Sequence, residues 1–85
     1  MKTVTIYTTA TCPYCIAAKQ LLNSKSVAFD EIDFRGLTDD ERQQLSDKTK
    51  GYRTVPQIFI GDEFVGGFDQ LNALNNAGKL DQLLA

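Results

Sequence analysis

The feature that most constrains this chain is its pair of cysteines, Cys12 and Cys15, the only two in 85 residues. Only Pro13 and Tyr14 separate them, so a disulfide between them closes a very short loop and removes little entropy from the unfolded chain. A disulfide between them would therefore stabilise the fold very little, and the stability of the fold has to come from a hydrophobic core. A composition of 42% hydrophobic and 24% charged residues provides one, and the length predicts a single domain over 1–85.

The charge of the chain is slightly acidic, with a formal net charge of −2 and no run of basic residues. Because nucleic acids and anionic membranes attract basic surfaces, we expect no nucleic acid and no membrane as a partner. No apolar stretch approaches the roughly 20 residues of a membrane helix, and the first residues lack the apolar centre of a signal peptide. We expect a cytoplasmic monomer, in a compartment where a two-cysteine motif is usually catalytic or metal-binding.

Apolar patterning divides the chain into strands and helices in the order β-α-β-α-β-β-α, followed by a short last helix over 79–84. The first βαβ unit implies a parallel strand pair, and the last two strands form an antiparallel hairpin. We therefore expect an α/β fold whose four-stranded mixed sheet carries helices on both faces. The predicted strands cover 2–8, 27–34, 57–60 and 63–65, and the predicted main helices begin at Pro13, Asp39 and Asp69.

Local signals mark where two of these helices begin. Thr38 and Glu41 have the spacing of a capping box, so a helix should start at Asp39 and stop at Gly51. This helix is polar almost all round, which predicts that it is the most exposed one. Asp69 is expected to be the N-cap of the next helix.

The position of Cys12 at the start of the first helix suggests a chemical role. Pro13 suits the first helical position, which makes Cys12 the N-cap. The free N–H groups of Tyr14 and Cys15 would then face its sulfur, and the helix dipole adds a positive end, so the thiolate is favoured. Cys15 lies one turn further in and should be more buried and less acidic. This asymmetry predicts that Cys12 attacks first and that Cys15 resolves the mixed disulfide.

Two other interpretations of the cysteine pair have to be weighed. A zinc site needs about four ligands, whereas this chain offers one cysteine pair and no histidine, so we expect no metal. A pair of inert core cysteines is reasonable at random positions but poor for Cys-Pro-Tyr-Cys at a strand-to-helix junction. A C-x-x-C motif beside a βαβ unit is instead typical of a thioredoxin-like redox site.

A second segment, Thr54-Val55-Pro56, precedes a predicted strand, where proline fits because it cannot donate to the ladder. A cis bond before Pro56 would leave the Val55 backbone free to pair with an extended, peptide-like substrate. Taken alone, the segment is better explained as a plain loop proline.

A third segment, Gly66-Gly67, breaks the pattern before the predicted helix at Asp69. Glycines permit close backbone approach, and a helix start offers free N–H groups for a carboxylate. Taken alone, the segment also fits a turn followed by an N-cap.

Together and in this order, the three segments resemble the glutaredoxin family. The segment 12–15 is similar to the active site of dithiol glutaredoxins, 54–60 to their cis-proline segment, and 66–69 to the start of their glutathione-binding helix. The resemblance covers essentially the whole chain. It implies a thioredoxin-like fold, a cis Val55–Pro56 bond, glutathione as the reducing cosubstrate and no permanently bound cofactor.

The resemblance also implies how glutathione binds. Its cysteine sulfur would meet Cys12, and its backbone would pair with Val55. Its γ-glutamyl carboxylate would lie on the N–H groups of Asp69 and Gln70, with the Asp69 carboxylate near the ammonium group.

At the other end of glutathione, the glycine carboxylate would approach Gln43, with Arg42 or Arg53 as substitutes. The implied glutathione-binding residues are Tyr14, which would flank the groove, and Gln43, Thr54, Val55, Pro56, Gly67, Asp69 and Gln70.

The chain departs from the family at two positions. Many members carry a lysine three residues before the first cysteine, where this chain has Thr9. Gln70 stands where a second acidic residue is often found. Both departures weaken the charged contacts to glutathione, so they bear on affinity rather than on the chemistry.

The resemblance predicts an enzyme that reduces protein disulfides and glutathione mixed disulfides through Cys12 and Cys15. Its partners would be glutathione and oxidised or glutathionylated proteins, with ribonucleotide reductase as a family-level example. Two alternatives stay open. One is a redoxin of the same fold reduced by a flavoprotein thioredoxin reductase. The other is an iron–sulfur carrier in which two subunits and two glutathiones bridge a cluster through Cys12.

Overall fold

The structure, a computed structural model, describes residues 2–85 and contains four strands and four α-helices. The strands are β1 (Val4–Thr8), β2 (Phe29–Asp33), β3 (Gln57–Ile60) and β4 (Glu63–Gly66). The helices are α1 (Pro13–Ser24), α2 (Asp39–Thr49), α3 (Phe68–Asn76) and α4 (Leu80–Leu84). None of these helices is both long and apolar enough to cross a membrane.

The strands form one mixed sheet in the order β2-β1-β3-β4. β1 pairs in parallel with β2, with Val4 opposite Phe29, and antiparallel with β3, with Val4 opposite Ile60. β3 and β4 form the predicted antiparallel hairpin, which turns at Gly61 with a φ of 60°. The predicted α/β fold and its element order are therefore confirmed.

The main hydrophobic core lies on one face of the sheet, under α1, α3 and α4. Alternate residues of β1 and β3 point into it, and Val4, Ile6 and Ile58 are fully buried. Burying a side chain of this size contributes roughly 1.5–3 kcal/mol, so this layer fixes α1 against the sheet. The other buried members are Ala18, Leu22, Val27, Ile60, Leu71, Leu80 and Leu84.

The opposite face of the sheet carries a row of aromatic rings. Tyr7, Phe59, Phe64 and Tyr52 follow one another with ring centroids 5.9, 5.2 and 5.2 Å apart. α2 lies over this row, because its buried Leu45 lines the same cavity as Tyr7. Helices thus cover both faces, as the sequence predicts.

The capping box at the start of α2 is formed as predicted. The Thr38 hydroxyl accepts the Glu41 N–H at 3.1 Å, and the Glu41 carboxylate accepts the Thr38 N–H at 2.9 Å. The helix ends at Thr49, with Lys50 as a left-handed C-cap immediately before the predicted stop at Gly51.

Both predicted parallel strands are shorter than expected. β1 begins at Val4 rather than at residue 2, and β2 covers Phe29–Asp33 rather than 27–34. β2 ends because the Asp33 carboxylate accepts the Arg35 N–H at 3.1 Å and caps a short 3₁₀ turn over Phe34–Gly36. A local hydrogen bond to a side chain therefore takes the place of the last strand pairing that the sequence predicted for β2.

The prediction that Asp69 caps α3 is wrong. Gly67 is the N-cap, and Asp69 is the second residue inside the helix. The Gln70 side chain reaches back to accept the Gly67 N–H at 2.9 Å, while the Leu71 N–H donates to the Gly67 carbonyl at 3.1 Å. These two bonds close the first turn around Gly67, so the helix starts one residue before Asp69.

Candidate active site

Cys12 ends the loop after β1 and is the N-cap of α1, as predicted. It has extended backbone angles, and its sulfur accepts the N–H of Cys15 at 3.2 Å. Pro13 occupies the first helical position, where a backbone N–H has no partner within the helix, so proline costs no hydrogen bond there. A sulfur in this place lies next to the positive end of the helix and is the more exposed of the two, so Cys12 is the candidate nucleophile.

Cys15 lies one turn into α1 and is 1% exposed, against a partly exposed Cys12. Burial and, after it, the hydrogen bond with the neighbouring Cys12 sulfur raise the pKa of the Cys15 thiol to about 11. A backbone hydrogen bond from Thr9 and the charge of Lys19 act in the opposite direction. Cys15 is therefore more buried than Cys12, as predicted, and its thiol has a raised pKa.

The cis-proline segment lies directly beside Cys12. The Val55–Pro56 peptide bond is cis, as predicted. The Cys12 thiol donates to the Val55 carbonyl oxygen, with 3.6 Å between sulfur and oxygen. Among residues 2–85, no hydrogen-bond partner is found for the Val55 N–H. The backbone of Val55 thus presents a donor and an acceptor next to the sulfur.

A groove of about 390 Å³ extends along this backbone between the starts of α1 and α3. It brings together seven of the eight residues that the resemblance implies for glutathione. Its lining consists of Tyr14, Tyr52, Thr54, Val55, Pro56, Gly67, Phe68, Asp69 and Gln70.

Two glycines keep the α3 end of this groove open. A Cβ on Gly67 would lie 2.6 Å from the Tyr52 hydroxyl oxygen, so the Tyr52 ring would have to move to admit a side chain there. Gly66 has a φ of +124°, a conformation that residues with a side chain rarely adopt. The backbone can therefore come close to whatever fills the groove.

Comparison with known proteins agrees with this site. The family model described as glutaredoxin matches residues 4–65. The chain belongs to the glutaredoxin family. It is 56% identical over 85 residues to a glutaredoxin of Pseudomonas aeruginosa, covering 100% of this chain and 99% of that protein. Glutaredoxins are thiol–disulfide oxidoreductases, and this chain shares that general activity.

Solved structures show the same fold. The solution structure of glutaredoxin from Brucella melitensis matches with a TM-score of 0.83 and 49% identity, over 99% of this chain and 89% of that one. The crystal structure of a buckwheat glutaredoxin–glutathione complex matches with a TM-score of 0.83 and 29% identity, over 95% of this chain and 74% of that one. The fold of the chain is therefore the thioredoxin-like fold of glutaredoxins.

Two groove residues of this glutaredoxin were missed by the sequence reasoning. Tyr52 places its hydroxyl against Gly67, and Phe68 opens α3 with its ring centroid 6.4 Å from that of Tyr14. Tyr52 lies two residues before the segment 54–60, and Phe68 lies within the segment 66–69. An aromatic residue beside or within such a segment is the signal that could have found them.

Gln43 is the predicted residue that the structure does not bring to the groove. It lies on α2, where its side-chain amide donates to the Asp47 carboxylate at 3.0 Å, and it is not among the lining residues. Its assignment to glutathione stays a prediction.

A second cavity, of about 270 Å³, adjoins the groove through Tyr52, which lines both. Arg42 and Arg53 line it, and the Arg42 guanidinium lies 5.4 Å from the centroid of the Phe34 ring. Gln57 also faces it, 1% exposed, and its side-chain oxygen is buried without a hydrogen-bond partner. The two arginines therefore give this cavity a positive charge, and the Gln57 side-chain oxygen is a hydrogen-bond acceptor without a partner.

Proposed function

We propose that this glutaredoxin uses glutathione to reduce protein disulfides and glutathione mixed disulfides through Cys12 and Cys15. The observation that carries the proposal is the contact between the Cys12 thiol and the Val55 carbonyl at one end of the groove. A peptide-like ligand that pairs with Val55 would have its own sulfur beside Cys12. The glutathione complex of the buckwheat relative supports glutathione as that ligand.

The γ-glutamyl end of glutathione fits the start of α3. Since the Leu71 N–H makes the first backbone bond of this helix, the N–H groups of Asp69 and Gln70 precede the hydrogen-bonded turns and can bind a carboxylate. The Asp69 carboxylate stands in the same first turn and would pair with the ammonium group. The Gln70 side chain is held by Gly67 and would contribute through its backbone alone.

The glycine end of glutathione fits Arg53 and Arg42 better than Gln43. Both arginines line the cavity that continues the groove past Tyr52, and a guanidinium binds a carboxylate with two hydrogen bonds. Gln43 does not line this cavity, and its side-chain amide is bonded to Asp47. These arginines would supply the charge that the family lysine, replaced here by Thr9, provides elsewhere.

The proposed reaction proceeds by thiol–disulfide exchange. With a glutathionylated protein, the Cys12 thiolate takes up the glutathione sulfur and the protein leaves as a thiolate. A second glutathione thiolate then attacks that sulfur, which frees Cys12 and forms glutathione disulfide. With a protein disulfide, Cys15 attacks the mixed disulfide on Cys12, and two glutathiones reduce the resulting Cys12–Cys15 bond.

The direct test is a coupled assay with a small glutathione mixed disulfide, glutathione, NADPH and glutathione reductase. We expect turnover that requires both glutathione and the protein. The same assay with thioredoxin reductase in place of glutathione and its reductase should show no turnover. The reverse pattern would identify the protein as a redoxin served by that flavoprotein instead.

We also propose that the protein works as a monomer in the cytoplasm. The cysteine usage supports this location, because a lone two-cysteine motif in a cytosolic protein is usually catalytic or metal-binding. Protein clients, such as a ribonucleotide reductase, would meet the exposed side chains beside Cys12. Tyr14 and Ile16, which are 62% and 51% exposed, offer them an apolar contact.

A further inference from the structure

The buried Cys15 lies next to a hydrogen-bonded network that the groove does not include. Lys19 follows Cys15 by four residues on α1, so both side chains share one face of the helix. The Lys19 ammonium lies 2.9 Å from a carboxylate oxygen of Glu31 on β2. The same oxygen accepts the hydroxyl of Thr8 at 2.6 Å. The network thus joins α1 to the end of β1 and to the middle of β2.

This network holds the lysine in place. Thr8 is 3% exposed at the end of β1, so its hydroxyl is a fixed donor to Glu31. The hydrogen bonds from Thr8 and then from Lys19 lower the pKa of Glu31, which keeps the carboxylate charged at neutral pH. A lysine side chain loses considerable rotamer freedom when it is fixed. Here an anchored carboxylate keeps the ammonium on the side of α1 that carries Cys15.

The resolving step is favoured by a positive charge near the Cys15 sulfur. Cys15 has to give up its proton before it can attack a mixed disulfide, although burial disfavours its thiolate. The titratable groups around it are Cys12 and Lys19 on α1, with Glu31 of β2 beyond Lys19. The Thr9 backbone hydrogen bond favours a Cys15 thiolate, and among the titratable groups the charge of Lys19, four residues further along the same helix face, favours it as well.

We propose that Lys19, held by Glu31 and Thr8, is a positioning residue for the resolving step. Its ammonium stabilises the negative charge on Cys15 as that sulfur attacks Cys12. In this step the proton of Cys15 passes to solvent and the Cys12–Cys15 bond forms. The bond between Cys12 and the substrate sulfur breaks, and the substrate leaves as a thiolate. The inference rests on the proposed function in one respect, because it takes Cys15 as the resolving thiol.

A test without glutathione separates this inference from the choice of reductant. The reduced protein is mixed in stopped flow with excess 5,5′-dithiobis(2-nitrobenzoate). Attack by Cys12 releases one coloured thiolate, and displacement by Cys15 releases a second one from the mixed disulfide. The rate constants of both releases are measured from pH 6 to 9 for the parent protein, Lys19→Met, Lys19→Arg and Glu31→Gln. Lys25→Met is the matched control, because it removes a lysine of the same region that is paired with Asp81 on α4.

In Lys19→Met we expect the second release to slow about three- to tenfold at pH 7, the scale of one nearby charge in a partly exposed site. Its pH profile should move to higher pH while the first release is unchanged. Lys19→Arg should restore most of the rate, Glu31→Gln should lose part of it, and Lys25→Met should match the parent.

An unchanged second release in Lys19→Met would overturn the inference. Equal slowing of both releases together with a lower Tm would also overturn it, because Lys19 would then be merely structural. A parent protein that lacks the second release would refute the resolving role of Cys15 itself, whatever the reductant.

Discussion

The Cys12 thiol donates to the carbonyl oxygen of Val55 across 3.6 Å, although the two residues are 43 positions apart in the chain. The nucleophile and the backbone proposed to hold the substrate are therefore in contact before any substrate binds. Alignment of the two reacting sulfurs then requires little rearrangement of the protein.

The two cysteines should have separable roles. Cys12→Ser should lose all activity, because no other sulfur stands at the start of α1. Cys15→Ser should keep the release of glutathione from mixed disulfides, since free glutathione can resolve the adduct on Cys12. It should lose reduction of protein disulfides that need an intramolecular resolver. Assays of both variants on both substrate types check this, and a Cys15→Ser variant inactive on glutathionylated substrates would contradict it.

Gly67→Ala should damage the groove rather than the fold as a whole. The new Cβ would meet the Tyr52 hydroxyl at 2.6 Å and force the ring to move. We expect a several-fold higher KM for glutathione, measured in the coupled assay. Gly36→Ala is the control, because its Cβ would meet only ordinary contacts at 3.8 Å or more. If both variants have the parent KM, glutathione does not pass Tyr52.

Asp69→Asn should weaken glutathione binding at a small loss of stability. Because Gly67 is the N-cap, the variant loses no side-chain cap but only the carboxylate near the helix start, worth about 0.3–1 kcal/mol. The expected result is a raised KM for glutathione with a slightly lower free energy of unfolding. Asp40→Asn is matched in position, since Asp40 is the second residue of α2. It should show the stability loss without the change in KM.

The stability of the reduced protein should fall as the pH rises from about 9 to about 11. The pKa of Cys15 is raised to about 11 in the folded chain, whereas an unfolded cysteine titrates near 8.5. In that interval the unfolded chain gives up the proton that the folded one retains, so unfolding becomes more favourable. Urea unfolding of the parent and of Cys15→Ala at pH 8 and pH 10.5 measures the effect. The parent should lose more stability than the variant over this interval.

The parts of the site that depend on neighbouring residues were predictable from the sequence. The N-cap at Cys12 and the capping box of Thr38 and Glu41 follow from spacings of three residues or fewer, and both are formed. The predicted start of α3 was one residue too late, because the Gln70 side chain, rather than Asp69, accepts the hydrogen bond from the backbone N–H of Gly67 before the helix.

Contacts between distant segments were not predictable in the same way. The approach of Tyr52 to Gly67 depends on how the loop before β3 meets the start of α3. The pairing of Lys19 with Glu31 depends on how α1 lies across β2. A single sequence gives the propensity of each residue, but these distances are set by the packing of whole elements against the sheet.

The polar character of α2 has a consequence for local unfolding. Of its eleven residues, Leu45 and Thr49 are buried, whereas α1 buries Cys15 and two aliphatic side chains in the main core. Opening α2 therefore exposes less apolar surface than opening α1, so its amide hydrogens should exchange through a less costly, partial opening of the chain. The wall of the site that carries Arg42 can then loosen while the helix that holds both cysteines stays closed.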